Sequence, residues 1–302
     1  MPNLYDDIVT TCLDRDCIEH WKEWKLRSEI IFDEKIKQND EDLISTFVKV
    51  AKDRRQHVIG MQSLSSILTE KNFWKKLVVC LATSQSASGE KSLVQYMVCK
   101  KDQLLDPASD IYQDNQQSED QLFKAIEKYV STVKQRKEMR GVRFASKFSE
   151  FVAKAWFILF KHGFVKCYLS KLNFVYSHIS NMTDEDKRYN EISITAMLEL
   201  LPGIGFKQSR NVLQYLGVSQ QVIPIDSRWC KLLEDRKFFS RNPDNDFLVI
   251  ISSVKSSKIH ELLQEQKYYL ILEEFLLRIC SCLDIEPYLF DALMFASHNN
   301  KK

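Results

Sequence analysis

Leu200-Leu201-Pro202-Gly203-Ile204-Gly205-Phe206-Lys207 leads, through a helical run to Gly217, into Val222-Ile223-Pro224-Ile225-Asp226-Ser227-Arg228-Trp229. Just ahead, Ile194, Met197, Leu198 and Leu201 recur at helical spacing, so a first helix has one apolar face. Pro202 and Gly203 stop that helix. Gly203 and Gly205 admit positive φ and carry no side chain, so another backbone can come close. The spacing predicts a second helix over Phe206–Leu216, with Val212, Leu213 and Leu216 inward and Gly217 just past its end. Pro224 ends an extended loop, and Asp226 or Ser227 can cap the next helix.

A glycine hairpin that opens a helix presents backbone N–H groups and the positive end of a helix dipole. That combination suits an anion such as phosphate. Lys207 stands on the first turn after the hairpin. Asp226 follows nineteen positions later. One helix and a returning loop separate them, so the chain can bring both side chains to one cleft.

Leu201-Pro202-Gly203-Ile204-Gly205, Lys207 and Pro224-Ile225-Asp226 resemble the hairpin and catalytic loop of the helix–hairpin–helix DNA glycosylases. This is the superfamily of endonuclease III and 8-oxoguanine DNA glycosylase. The motifs cover residues 193–229, and weaker matches extend over most of the chain. The resemblance implies that Lys207 is the nucleophile of a bifunctional enzyme and Asp226 its catalytic carboxylate. It implies DNA contacts from Gly203 and Gly205. Arg228 stands where the family usually has histidine and is expected to contact a phosphate.

Seven glycines and six prolines are few for 302 residues, and three of those glycines lie between Pro202 and Pro224. Sandwiches and barrels need many tight turns, so the fold class expected is all-α. The length allows one large domain or two smaller ones. No apolar run is long enough for a membrane span. The N-terminus lacks the basic-then-apolar pattern of a signal peptide, and the eight cysteines are irregularly spaced. An intracellular protein (cytoplasm, nucleoid or nucleus) with no membrane partner is therefore expected.

Only three cysteines follow Asp226: Cys230, Cys280 and Cys282. None has the spacing of the iron–sulfur motif of endonuclease III-like members. A cluster-free member with no metal and no cofactor is implied, nearer the 8-oxoguanine type.

The net charge of +2 does not mark an obvious nucleic-acid binder, but charge is local. Residues 134–166 carry nine basic side chains against Glu138 and Glu150. Beside a phosphate-binding hairpin, this stretch reads as a DNA-facing patch. Arg143 lies in it, in a Gly141-Val142-Arg143-Phe144 run similar to one the family has before a long helix.

Phe73, Trp74, Leu77, Val78 and Leu81 predict a buried helix face, followed by a small polar loop containing Gln85. Gln85 resembles the family residue that enters the duplex where the base has left. Ile18, Trp21, Trp24, Leu26 and Ile30 suggest an amphipathic helix, and Leu43, Phe47, Val48 and Ala51 another. Residues 102–119 are polar and read as a loop or insertion. Residues 181–189 read as a charged turn. In a last helix, Asp291 and Phe295 are four apart and share a face. By resemblance they form the base pocket, Phe295 stacking and Asp291 accepting from a donor edge, where the 8-oxoguanine enzyme has glutamine.

The resemblance further implies two helical domains, residues 71–218 and residues 1–70 with 219–302, with the hairpin at the cleft between them. The function expected is a monomeric base-excision repair glycosylase with lyase activity. Its partner is double-stranded DNA containing a damaged base, of the oxidised-purine, 8-oxoguanine type. The alternatives are a non-catalytic hairpin module that only binds DNA, and a monofunctional glycosylase for another modified base. Attack requires a neutral amine, whereas a free lysine titrates near ~10.4.

Overall fold

The computed structural model describes residues 13–37, 68–83, 97, 102–135, 145–178, 181–219, 221–239 and 246–298. Among them every regular element is helical and no strand occurs. The chain divides into two compact units, Met1–Lys49 with Gln220–Lys302, and Val50–Ser219. No described helix is long and apolar enough to cross a membrane. The expected helix around Leu43–Ala51 lies outside the described residues.

Helix α1 (Arg15–Lys37) opens the first unit. Its buried face is Cys17, Trp21, Trp24, Ser28 and Phe32, at steps of three and four. Leu26 and Ile30, expected inward, stand 61% and 53% exposed. The two tryptophans set the stripe, and its next members are small Ser28 and then Phe32.

The second unit runs from α2 (Glu70–Thr83) through a 3₁₀ turn at Gln103–Leu105, α3 (Asp110–Gln113) and α4 (Glu119–Gln135). It continues with α5 (Ala145–Trp156), a π turn at Phe157–Lys161, α6 (Val165–His178), α7 (Asp184–Leu198) and α8 (Phe206–Leu216). On α2 the predicted face of Phe73, Trp74, Leu77, Val78 and Leu81 is buried. The 102–119 stretch is not a loose insertion. Leu104, Leu105, Ile111 and Tyr112 are buried in it. Trp74 Nε1 and the Tyr112 hydroxyl both donate to Leu104 O, at 3.0 and 2.8 Å, and Trp156 Nε1 donates to Pro107 O at 3.0 Å. Four apolar side chains and three ring donors hold a segment whose average composition is polar.

Residues 184–189 are likewise helix, not turn. Thr183 and Asp186 form a reciprocal capping box, and Asp184, Glu185 and Asp186 place negative charge on the first turn of α7.

The chain then returns to the first unit as α9 (Ser227–Leu232), a 3₁₀ turn at Arg236–Phe238, α10 (Asp246–Ile251), α11 (Ser256–Leu262), α12 (Gln266–Cys282) and α13 (Pro287–His298). An aromatic cluster of Trp21, Trp24, Trp229, Phe238 and Phe290 forms its core, with neighbouring ring centroids 4.5 to 6.3 Å apart. Trp21 Nε1 donates to Phe238 O at 2.9 Å.

One buried ion pair closes the turn between α7 and α8. Arg210 is 1% exposed, and its Nη1 lies 2.6 Å from Glu199 Oε1. The same nitrogen donates to Phe206 O at 3.2 Å, and Ser209 Oγ donates to Glu199 Oε1 at 2.9 Å. Glu199 is the C-cap of α7, and Arg210 sits on the second turn of α8, so the pair bolts the two helix ends together. Arg210→Met alone is expected to destabilise the protein by about 3–5 kcal/mol, because a carboxylate only 15% exposed loses its partner. Arg210→Met with Glu199→Leu is expected to recover most of that loss, as read by denaturant midpoints.

Candidate functional site

The hairpin follows from residue types at fixed positions. Ile204 N–H donates to Leu201 O at 3.1 Å, closing a four-residue turn. Pro202 occupies its second position and Gly203, at φ +79°, its third, the arrangement of a type II turn. A Cβ on Gly203 would stand 2.4 Å from Phe151 Cδ2 and 3.0 Å from Leu81 Cδ2. Glycine is thus required there twice, by its backbone angle and by the packing of α2 and α5 against the turn. Ile204 is buried behind it, whereas Leu200 stands 77% exposed.

Gly205 differs. Its φ of −99° and ψ of −172° suit any residue, and a Cβ built on it meets nothing within 4 Å among the described residues. It is the N-cap of α8, and no side-chain hydrogen bond caps that helix. No described residue beyond its chain neighbours therefore comes within 4 Å of that Cβ, at the positive end of an eleven-residue helix. At its other end Gly217, at φ +75°, completes a Schellman motif, with Val218 N donating to Leu213 O at 3.0 Å and Gly217 N to Gln214 O at 2.9 Å.

Lys207 is half-buried on the first turn of α8. It acts electrostatically on Cys80 of α2, together with Lys76. Burial holds the Cys80 thiol above the ordinary thiol range, against the opposing charges of these two lysines. Lys76 Nζ also lies 5.5 Å from the centre of the Tyr215 ring. Lys76 and Cys80 carry no motif, and periodicity alone places them only as members of α2.

Asp226 lies in the other unit from Lys207. It is the N-cap of α9, where its Oδ1 accepts from Arg228 N at 2.8 Å. Its Oδ2 accepts from Arg228 Nε at 2.8 Å and also from Arg228 Nη2. The guanidinium expected to meet a phosphate thus lies on Asp226. Cys230, on the next turn, has its thiol pushed up to about 12, first by burial and then by the charge of Asp226.

The segment ahead of Asp226 is held by α12. Glu273 Oε1 accepts from Ile223 N at 2.8 Å. The Tyr269 hydroxyl accepts from Ile225 N at 2.8 Å and donates to Ile223 O at 3.1 Å. Past Asp226, Trp229 Nε1 donates to Asp291 Oδ1 at 3.2 Å. The residue expected to read the base is thereby tied to the helix that Asp226 caps. Phe295 follows one turn later on α13.

Gly203, Gly205 and Lys207 are therefore brought together in one unit, and Asp226, Arg228 and Asp291 in the other. Gln85 and Arg143 lie outside the described residues. Among the described residues no group of three or more His, Cys, Asp or Glu is placed to hold a metal ion.

No family model and no curated protein matches the chain. Two solved structures are similar to it. The 8-oxoguanine DNA glycosylase of Methanocaldococcus jannaschii is 14% identical with a TM-score of 0.45, and the match covers 85% of this chain and 95% of that one. The 8-oxoguanine DNA glycosylase of Thermotoga maritima is 14% identical with a TM-score of 0.46, covering 86% of this chain and 97% of that one.

Proposed function

We propose that this chain is a DNA-repair glycosylase with lyase activity, acting on an oxidised purine of the 8-oxoguanine type. The observation that carries the reading is the N-terminus of α8. A glycine that no described neighbour and no backbone angle requires caps it, and a lysine stands on its first turn. The backbone N–H groups there grip a phosphate beside the lesion. The damaged nucleotide leaves the stack to be reached. Asp226 stabilises the positive charge that grows on the sugar as the base departs. The Lys207 amine attacks the anomeric carbon, and the resulting imine permits elimination of the 3′ phosphate. Asp291, an acceptor when ionised, suits a base edge rich in donors.

One observation favours a second reading. Both oxygens of Asp226 are engaged by Arg228, as in a loop that only builds a helix end. In that case the hairpin binds DNA and cleaves nothing.

Borohydride trapping on duplexes carrying 8-oxoguanine or an abasic site separates the two. The expected result is a covalent adduct that disappears in Lys207→Ala. In Asp226→Asn, turnover falls steeply while DNA affinity is kept. No base release and no adduct from the wild-type chain would leave only the binding reading.

The anion site has its own check. Gly205→Asp supplies a better helix cap, so thermal stability holds or rises by up to about 1 kcal/mol. Its carboxylate occupies the phosphate position, and duplex binding is expected to collapse. Gly203→Ala is expected to lose stability instead, through the clash with Phe151. Wild-type affinity should fall with salt at about −0.9 log units per log unit for each phosphate neutralised. Undiminished duplex affinity in Gly205→Asp removes the anion site from the hairpin.

A further inference from the structure

Resting on the reading above, we propose that Tyr269 and Glu273 are positioning residues that fix the backbone at Asp226 for the reaction. The two lie four apart on α12 and so share a face. Both are buried, Tyr269 at 2% and Glu273 at 0% exposed. The chain they face, Ile223-Pro224-Ile225, is neither helix nor strand and is buried throughout. Its backbone polar groups therefore need partners from side chains.

The match is complete on the donor side. Ile223 N–H goes to Glu273 and Ile225 N–H goes to Tyr269. Pro224, between them, has no N–H to satisfy. The Tyr269 hydroxyl also returns its proton to Ile223 O, so one oxygen ties two residues of the loop. The last tethered group, Ile225 N, is one residue from Asp226. Neither side chain contacts DNA in this scheme. They act by denying the Asp226 backbone the freedom to drift, and drift of about 1 Å at a reacting group is enough to slow a reaction a hundredfold.

Tyr269→Phe keeps the ring and removes the hydroxyl. Amide hydrogen exchange of the free protein is the first readout. Ile223 and Ile225 should be protected in the wild type. Ile225 should lose protection in Tyr269→Phe while α12 keeps its own. Rapid Ile225 exchange in the wild type, or protection unchanged in Tyr269→Phe, overturns the clamp. The second readout is single-turnover cleavage of 8-oxoguanine and abasic-site duplexes. Tyr269→Phe should slow it at least about tenfold with duplex affinity unchanged. Glu273→Gln, which keeps an acceptor oxygen, should stay near wild type, and Glu273→Leu should fall with Tyr269→Phe.

In an Asp226→Asn background, Tyr269→Phe should slow cleavage no further, since it acts through Asp226. Full additivity there overturns the positioning role. Protected amides in a wild-type chain that cleaves neither duplex would sink the glycosylase reading and leave the clamp supported.

Discussion

The contact between Glu199 and Arg210 sets the geometry of the hairpin. A turn of Pro202, Gly203, Ile204 and Gly205 has few side-chain atoms with which to hold two helices. The charge pair supplies that hold from outside the turn, 2.6 Å long and nearly dry. It costs two desolvations, which Ser209 and the Phe206 carbonyl partly offset by completing the hydrogen bonds. With the helix ends fastened, the turn is free to be almost bare backbone. Gly203 lies against Phe151 and Leu81, and Gly205 faces none of the described residues within 4 Å of its would-be Cβ. Local stiffness and an N-terminus without a side-chain cap would otherwise be in conflict, since a side chain that capped α8 would also fill the space over Gly205.

The other unit solves a related problem by related means. A non-helical segment buried among helices has no ladder to join. Here α12 provides a carboxylate and a phenol at helical spacing, and proline removes the donor that lies between the two they satisfy. Beyond Asp226, the Trp229 indole carries the linkage on to Asp291. Loop, cap and terminal helix thus form one hydrogen-bonded chain of positions, with the aromatic cluster around Trp229 as its backing.

What was legible in the sequence is what residue type dictates locally. Pro202-Gly203 has few backbone options, Gly217 marks a left-handed helix end, and aspartate before Ser227 is a strong cap. These positions, and the helical class, follow from short-range rules. The misses have a different origin. Arg210 is buried, although hydropathy places arginine outside by default. Its partner is eleven residues away on another helix. Tyr269 and Glu273 lie in a strongly apolar helix, where neither announces a task. Residues 102–119 average as polar while four of their side chains are core. Arg228 reads in the sequence as a phosphate ligand because its charge is visible there and its neighbour's claim on it is not. In each case a long-range or pairwise contact outweighs the local average, and a single sequence carries no direct record of such pairs.

Arg228 is also where this chain departs from the histidine usual in the family it resembles, and the departure has a physical consequence. The pair it forms with Asp226 is a fifth exposed on one side and a tenth on the other. That lies between a surface pair, worth about 0–1 kcal/mol, and a buried one, whose disruption costs about 3–5 kcal/mol. Two of the guanidinium's donors, Nε and Nη2, go to Asp226. A histidine in the same place would lose its charge near neutral pH and free the aspartate as it did so. Arginine does not titrate in that range. The guanidinium therefore keeps its hold on the carboxylate where an imidazole would release it.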